Sequence, residues 1–261
     1  MGTDGSKAQN SSTEHTTGIL IGGTHRFNER ISANAGVGYG YGSISSAGGN
    51  VKTDSVYMTF GVRAALSDLQ QGPYSALQGN VGYVDYQSTR SLGEGLGTAK
   101  GDSRGELLGA RASVGWLLTQ GGVTLDPRLG VQVSHLNLNG FRERGSELAL
   151  DINGVSETQT RLVSGLEAKI PDWLISEWSI RPSINVGYER RLSCSNAVSH
   201  GEIYEWEIEQ SSALNDRNMY KAGVSLSAKR RNFTAGVSVK AIAAGRESAG
   251  VVGTLSAGFS F

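Results

Sequence analysis

The chain has 261 residues, with 24 Lys plus Arg against 24 Asp plus Glu, so no net charge favours nucleic acid as a partner. It contains 37 glycines, 4 prolines and one cysteine, and no apolar run approaches the roughly 20 residues that a membrane helix needs. This composition excludes a disulfide framework, a cysteine metal cluster and a helical membrane anchor. Glycine-rich alternation with little proline favours a β-sheet protein.

The first half of the chain predicts five strands in which apolar and polar residues alternate. They cover residues 17–27, 31–41, 54–66, 74–87 and 104–119. In the third of these, Val56, Met58 and Phe60 fall on one face, while Tyr57 and Thr59 fall on the other. A period of two is the pattern of a strand with two different faces.

The second half predicts six more strands, and the connections between all eleven alternate in length. The strands cover residues 123–138, 157–170, 179–192, 218–229, 232–244 and 249–261. The short turns are expected at 28–30, 67–73, 120–122, 171–178 and 230–231. The longer loops are expected at 43–53, 88–103, 139–156, 193–217 and 244–248. Short periplasmic turns and long outer loops are typical of an outer-membrane barrel.

The last strand runs to the final residue of the chain and places apolar residues on one face, among them Leu255, Phe259 and Phe261. A soluble domain rarely ends on an exposed aromatic strand, whereas an outer-membrane barrel turns such a face towards lipid. We therefore predict an all-β, antiparallel transmembrane β-barrel with its C-terminus in the periplasm. A soluble β-sandwich adhesin is a second possible interpretation of the same strands.

Charged residues fall on the non-lipid face of the predicted strands. We expect seven of them to line the lumen: Arg63, Arg111, Arg128, Arg161, Glu167, Arg181 and Glu189. In a sandwich the same residues would face solvent, so their presence alone does not decide the fold. Together with the alternating loops and the terminal aromatic strand, they favour the barrel.

The strand count has a topological consequence. Bacterial single-chain barrels have even numbers of strands, and an open edge in lipid leaves backbone groups unsatisfied. A chain that crosses eleven times and ends in the periplasm begins outside the cell, so residues 1–16 are expected to form a polar extracellular or disordered segment. We interpret the odd count, and the absence of a secretory signal in residues 1–17, as one strand missing upstream of Met1. The alternative is an unrecognised twelfth strand within 200–210.

Aromatic residues lie near several predicted strand ends. Trp116, Trp173, Trp178 and Tyr188 are the examples that we single out. Such positions are typical of the aromatic girdles at membrane interfaces, and ordinary packing of turns would explain them equally.

No arrangement of residues predicts catalysis, a cofactor or a metal. Ser195, His200 and Asp216 share one loop, but nothing fixes their geometry, so we do not interpret them as a triad. The letters GDSR at 101–104 lack the leucine of a GDSL box. The four histidines have no ligand spacing, and the glycines of 36–49 precede no helix, which argues against nucleotide binding. We expect a protein that is not an enzyme.

Several of these segments resemble the translocator, or β-domain, of a type V autotransporter. The letters GILIGGTHRF at 18–27 resemble the second strand of that family, with Thr24 where an acidic residue is usual, and AGVGYGYG at 35–42 resembles the strand that follows. GDSRG at 101–105 with GAR at 109–111 resembles the middle strand, and FSF at 259–261 the terminal signal. The resemblance covers 17–261. Within the family, GFRERG at 140–145 is most similar to the branch whose passengers are GDSL-type esterases or lipases.

The resemblance implies a 12-stranded barrel that exports an N-terminal passenger and anchors it at the cell surface. It implies a first strand, a plug helix and a passenger, none of which this sequence contains. The barrel-assembly machinery would recognise the terminal strand, so Phe261, Phe259 and Leu255 are the expected assembly signal. The lumen charges would hold the plug helix or a transiting hairpin, or would pair with one another. A stand-alone porin-like or structural barrel remains an alternative.

Overall fold

The structure, a computed structural model, describes residues 13–46, 48–93, 97–194, 198–203, 206–211, 217–244 and 248–259, with only the backbone considered at 194, 198–203, 206–211 and 248. This part of the chain forms sixteen strands and no helix. In chain order they are β1 (Thr13–Arg26), β2 (Ile31–Ser46), β3 (Gly49–Ala65), β4 (Gly72–Ser91), β5 (Thr98–Gln120), β6 (Val123–Leu138), β7 (Phe141–Arg142), β8 (Asp151–Ile152), β9 (Val155–Lys169), β10 (Trp173–Ile175), β11 (Trp178–Cys194), β12 (Val198–Ile203), β13 (Trp206–Ser211), β14 (Asn218–Arg230), β15 (Phe233–Ala244) and β16 (Ser248–Phe259).

Eleven long strands form one antiparallel sheet in the order β1-β2-β3-β4-β5-β6-β9-β11-β14-β15-β16, and the short β10 pairs with the start of β11. Each long strand therefore lies beside the long strands that precede and follow it along the chain. This arrangement confirms the prediction of an all-β antiparallel fold built from eleven strands. The alternation of apolar and polar residues was sufficient to find every one of them.

The strands extend further towards the outer loops than the sequence predicted. A loop was expected at 43–53, but β2 continues to Ser46 and β3 begins at Gly49, with Ser46 opposite Gly49 in register. A loop was also expected at 88–103, yet β4 runs to Ser91 and β5 begins at Thr98. Both loop predictions are wrong because ladder hydrogen bonds join backbone groups. Glycine, serine and threonine can continue a ladder without an apolar pattern.

Two of the predicted short turns have defined backbone geometry. Gly121 and Gly122 join β5 to β6 with φ of 59° and 81°, the left-handed pair that a two-residue type I′ hairpin requires. In the turn predicted at 171–178, β10 pairs with β11, and Ser176 adopts φ of 56° at the tip of this small hairpin. The periplasmic turns thus hold the registers of the long strands on either side of them.

The two largest outer loops contribute strands to a second sheet. β7 and β8 from the first loop pair with β12 and β13 from the second, in the order β13-β12-β8-β7. The interpretation of 200–210 as a twelfth barrel strand is therefore wrong, because 198–203 pairs with 206–211 on one side and with β8 on the other. Backbone hydrogen bonds of 2.9 and 2.8 Å between Lys100 and Arg144 join the segment that follows β7 to β5.

The long strands have one apolar face. Its residues are exposed to the surroundings rather than packed in a core; Met58, Phe60 and Val114 are 59%, 56% and 59% exposed. On β5 the apolar positions run from Leu108 to Leu118, a height of about 25 Å at about 3.3 Å per residue and a tilt of about 40°. No helix in the described residues has the length and apolar content needed to span a membrane.

The sheet has two edges in the part of the chain that the structure describes. β1 pairs with β2 on one side, and β16 pairs with β15 on one side; neither has a ladder partner on its other side within these residues. Because eleven strands alternate in direction, β1 and β16 run the same way. A direct pairing between them would be parallel, in a sheet that is otherwise antiparallel.

Candidate functional site: the charged inner face

The apolar face of the long strands is called the outward face, and its apolar positions form the apolar belt. The opposite face is polar and is called the inner face. Antiparallel partners directly opposite each other share a face, so the registers assign every position of the long strands to one face or the other. All seven residues that the sequence singled out lie at inner positions: Arg63, Arg111, Arg128, Arg161, Glu167, Arg181 and Glu189. The registers show on which face each residue lies, and the side-chain contacts show its partners.

The first group of contacts lies where β3, β4, β6 and β9 approach the periplasmic turns. The Tyr74 hydroxyl donates to Asp126 Oδ1 at 2.7 Å, and the guanidinium carbon of Arg63 lies 3.7 Å from the centroid of the Tyr74 ring. Arg128 continues the group, with Nε 3.7 Å from Asp126 Oδ2 and Nη2 3.3 Å from Glu167 Oε2. Asp126 is 4% exposed, so this carboxylate is stabilised by its donors rather than by water.

A second group surrounds Glu189, whose side chain is 10% exposed. Arg161 Nη1 lies 3.3 Å from one carboxylate oxygen of Glu189, and the ammonium group of Lys221 donates to the other. Arg161 also donates through Nε to Gln159 Oε1 at 2.6 Å. Two cations share one anion here, so the group retains a positive charge.

Arg181 finds its partner outside the strands. Its guanidinium donates to the carboxylate of Asp172 in the turn after β9, which also accepts a hydrogen bond from Ser179. These hydrogen bonds, that of Arg181 first, lower the pKa of Asp172 below its ordinary value. Of the seven residues, Arg181 is therefore held to a periplasmic turn.

Two of the seven predicted residues have no ion pair within the described part of the chain. The Nε and Nη2 atoms of Arg63 are buried and have no hydrogen-bond partner there. Arg111 lies at the middle of β5, with Gln78 opposite it on β4 and Gln132 opposite it on β6. Both residues are cations that the described residues do not neutralise.

The inner face as a whole is basic. Among the described residues of the eleven long strands, inner positions hold twelve cations: Arg26, Arg63, Arg90, Arg111, Arg128, Arg161, Lys169, Arg181, Arg191, Lys221, Lys229 and Lys240. The same positions hold five anions: Glu14, Asp126, Glu157, Glu167 and Glu189. At the outward positions of these strands, positive and negative charges nearly cancel. The cations there are Lys52, Lys100, Arg104, Arg190 and Arg230, and the anions are Asp54, Asp85, Asp102 and Glu106.

Sequence reasoning missed Asp126 and Lys221, although both have the parity of inner residues. It also missed an ion pair at the outer end, where Arg90 Nη2 lies 2.6 Å from Glu143 Oε2 and the Glu143 side chain is 3% exposed. The Leu150 amide donates to the same carboxylate at 3.0 Å, and the ring of Phe141 lies 5.9 Å from that of Tyr86. The GFRERG segment thus supplies Phe141 and Glu143 as anchors of the outer loop.

The residues considered for catalysis are not assembled into a site. Ser195 and Asp216 lie outside the described residues. Ser103, in the GDSR letters, belongs to β5 and donates its hydroxyl to the backbone oxygen of Asn139. Within the described residues, no group of three or more His, Cys, Asp or Glu could hold a metal ion.

Aromatic residues cluster on the outward face near the periplasmic end. The Trp178 and Phe233 rings lie 6.3 Å apart, edge to face, and the Phe233 and Phe259 rings lie 5.0 Å apart. Phe259 and Leu255 of the expected assembly signal are 69% and 84% exposed on the outward face of β16. Phe261 lies outside the described residues. Trp116 and Trp173 are 51% and 56% exposed at the same end. The Tyr188 and Tyr220 rings, 5.3 Å apart, lie towards the outer loops instead.

An antiparallel sheet with an apolar outward belt, a polar inner face, short turns at one end and longer loops at the other defines an outer-membrane β-barrel. The model of the autotransporter beta-domain family matches residues 1–240 of this chain. The chain therefore belongs to that family: it is an outer-membrane barrel for export and surface anchoring, which confirms the predicted fold, function class and location.

Solved structures of this family have the same fold. The translocator domain of the autotransporter NalP from Neisseria meningitidis is similar with a TM-score of 0.79 at 19% identity, covering 98% of this chain and 83% of that one. The β-domain of the Bordetella autotransporter BrkA gives a TM-score of 0.66 at 17% identity, with 96% and 92% covered.

The curated relatives are esterases by name. Esterase EstA of Pseudomonas aeruginosa is 28% identical over 161 residues, which cover 58% of this chain and 24% of that protein. Esterase EstA of Pseudomonas putida matches to the same extent. The match thus spans about a quarter of the length of these relatives. Their names agree with the esterase branch that the GFRERG segment suggested.

Proposed function

We propose that this barrel is completed by one further strand, and that the polypeptide upstream of this chain supplies it together with a plug helix and an exported passenger. The observation that carries the proposal is the pair of sheet edges. β1 and β16 run in the same direction, and neither has a partner on its outer side within the described residues. One strand inserted between them would be antiparallel to both and would satisfy both edges.

The chain itself would have no catalytic role. The chemistry of the complete protein would belong to the passenger, and the names of the curated relatives support an esterase as the class of passenger. The barrel would hold the C-terminal end of that passenger at the cell surface. The present chain would then be the part of the protein that is not an enzyme.

The seven lumen residues would act on whatever segment occupies the barrel. Arg128, Glu167, Arg161 and Glu189 already pair within the wall, so their first contribution would be to fix its shape. Arg63 and Arg111 lack such partners in the described residues and would be the ones to contact a plug helix or a transiting hairpin.

The terminal strand would be the element that the barrel-assembly machinery recognises. β16 presents Leu255 and Phe259 outward, and its outer edge is unpaired within the described residues. An extended edge with apolar side chains can be captured by strand addition. Phe261 would complete the same row, because it continues the alternation of β16.

The test compares the chain alone with the chain preceded by its natural upstream coding sequence, both exported by the same signal peptide. We expect the longer protein to give a monomeric, heat-modifiable barrel that displays an upstream epitope to external protease. Residues 1–261 alone should assemble poorly. A monomeric, heat-modifiable product from residues 1–261 would refute the additional strand. A complete barrel that forms without exposing the epitope would favour the porin-like alternative.

A further inference from the structure

The zero net charge of the chain conceals a separation of charge between the two faces of the sheet. Among the described residues of the long strands, the inner face holds twelve cations against five anions, while the outward face holds five against four. The acidic residues that balance the whole chain therefore lie mainly outside the long strands. A wall with one dominant sign of charge raises the local concentration of ions of the opposite sign.

Pairing within the wall does not remove this excess. Asp126 and Glu167 are both engaged by Arg128, and Glu189 is shared by Arg161 and Lys221. Within the described residues, six inner cations have no ion pair: Arg26, Arg63, Arg111, Lys169, Lys229 and Lys240.

These six cations lie along the passage rather than in one patch. Arg26, Arg63, Lys169 and Lys229 stand at or near the periplasmic ends of their strands, while Arg111 and Lys240 stand further towards the outer loops. The register neighbours of Arg111 are glutamines, which carry no charge of either sign. An anion entering from the periplasmic side would meet uncompensated positive charge at the entrance and again in the middle.

We infer that the lumen is an anion-selective passage, and that the polypeptide segment it accommodates best is acidic. Rings of arginine and lysine favour anions in pores for the same electrostatic reason. A segment with carboxylates would replace the water around Arg111 and Lys240 with charge-assisted hydrogen bonds, whereas a basic segment would meet repulsion. The inference rests on the proposed function for the identity of the segment, but the selectivity of the wall is independent of it.

The first experiment measures, by anisotropy at low salt, the binding of fluorescent oligoglutamate and oligolysine peptides to the detergent-solubilised barrel that the upstream strand completes. We expect oligoglutamate to bind more tightly, and the difference to fall as salt is added. Arg111→Gln and Lys240→Gln should each weaken oligoglutamate binding about threefold, the scale of an exposed ion pair. The matched control is Arg190→Gln, which removes an outward cation and should leave binding unchanged.

The second experiment measures the reversal potential of the open barrel in a planar bilayer under a potassium chloride gradient. We expect the sign for chloride preference, and a shift towards zero in the Arg111→Gln and Lys240→Gln double variant. Equal binding of the two peptides, an equal loss with Arg190→Gln, or a cation-selective pore would overturn the inference. Anion selectivity in a protein that fails to export its passenger would refute the proposed function and leave the selectivity standing.

Discussion

The two faces of the barrel wall follow different rules. In the apolar belt of the outward face a residue needs only to be apolar. Neighbours such as Met58 and Phe60 are largely exposed to the surroundings. The inner face is built from particular pairs, in which Asp126 needs Tyr74 and Arg128, and Glu189 needs Arg161 and Lys221. Lipid determines which residues the outward face can hold, whereas specific ion-pair and hydrogen-bond partners determine the residues of the inner face.

This difference teaches which substitutions each face tolerates. Outward positions within the apolar belt should accept any apolar residue and reject charge, because lipid offers no compensating group. Inner positions should accept added charge, because water and polar side chains are available there, and should be sensitive where an existing partner is lost. Three pairs of substitutions, each with one inner residue and one matched residue elsewhere, and a single substitution at a periplasmic turn test this difference.

The largest effect is expected from a charge on the outward face. Val114→Arg places a guanidinium in the apolar belt of β5, where Val114 is 59% exposed, and should lower the stability of the inserted barrel by about 2–4 kcal/mol. Ser113→Arg, one residue away on the inner face, should change it by less than about 1 kcal/mol. The measurement is urea unfolding in lipid vesicles. Equal losses for the two variants would contradict the assignment of the faces.

A smaller loss is expected when an inner pair is broken. Glu189→Gln removes the anion shared by Arg161 and Lys221 and leaves two cations facing each other, which should cost about 2 kcal/mol. The control is Glu177→Gln, which breaks an ion pair with Arg230 whose side chains are 55% and 46% exposed and should cost less than about 1 kcal/mol. Equal costs would mean that the inner pairs are no better shielded than surface ones.

The same comparison explains what the sequence could and could not predict. The outward face was predictable because a single property, apolarity at every second residue, recurs along each strand, as it does from Leu108 to Leu118. The alternation of faces along each strand was then enough to place Arg63 and Arg161 on the inner face. Their partners could not be predicted, because Lys221 and Glu189 are 32 residues apart in the chain and meet through the register of β11 and β14.

The outer loops were the least predictable region for a related reason. Beyond the membrane no solvent imposes an apolar face, so the strands at 43–53 and 88–103 lack the alternation that reveals a strand elsewhere. The small sheet of β7, β8, β12 and β13 joins segments from two loops, and Asp151 pairs with Glu202 only because the barrel brings those loops together. Such pairings depend on tertiary structure.

A third prediction concerns a single hydrogen bond on the inner face. Tyr74→Phe keeps the ring under Arg63 but leaves the 4% exposed Asp126 without its 2.7 Å donor, and should cost about 1–2 kcal/mol. Tyr188→Phe removes a similar 2.7 Å bond, to Asn218, at an exposed site and should cost less than about 0.5 kcal/mol. Unfolding by urea in the same vesicles measures both. A smaller cost for Tyr74→Phe than for Tyr188→Phe would contradict the role assigned to burial.

The smallest effect is expected at the periplasmic turn, where an inner residue meets bulk water. Arg181 lowers the pKa of Asp172, so this carboxylate stabilises the folded state fully at pH values above the pKa of the unfolded chain, near 3.8. The contribution is lost as the pH falls through the lowered pKa, since both states are then protonated. The Asp172→Asn variant should therefore melt about 1–2 °C below the parent at pH 7 and level with it at acidic pH. A difference in melting temperature that stays constant across this pH range would show that Asp172 acts through its shape and neutral hydrogen bonds. The charge of Arg181 would then be balanced elsewhere on the inner face.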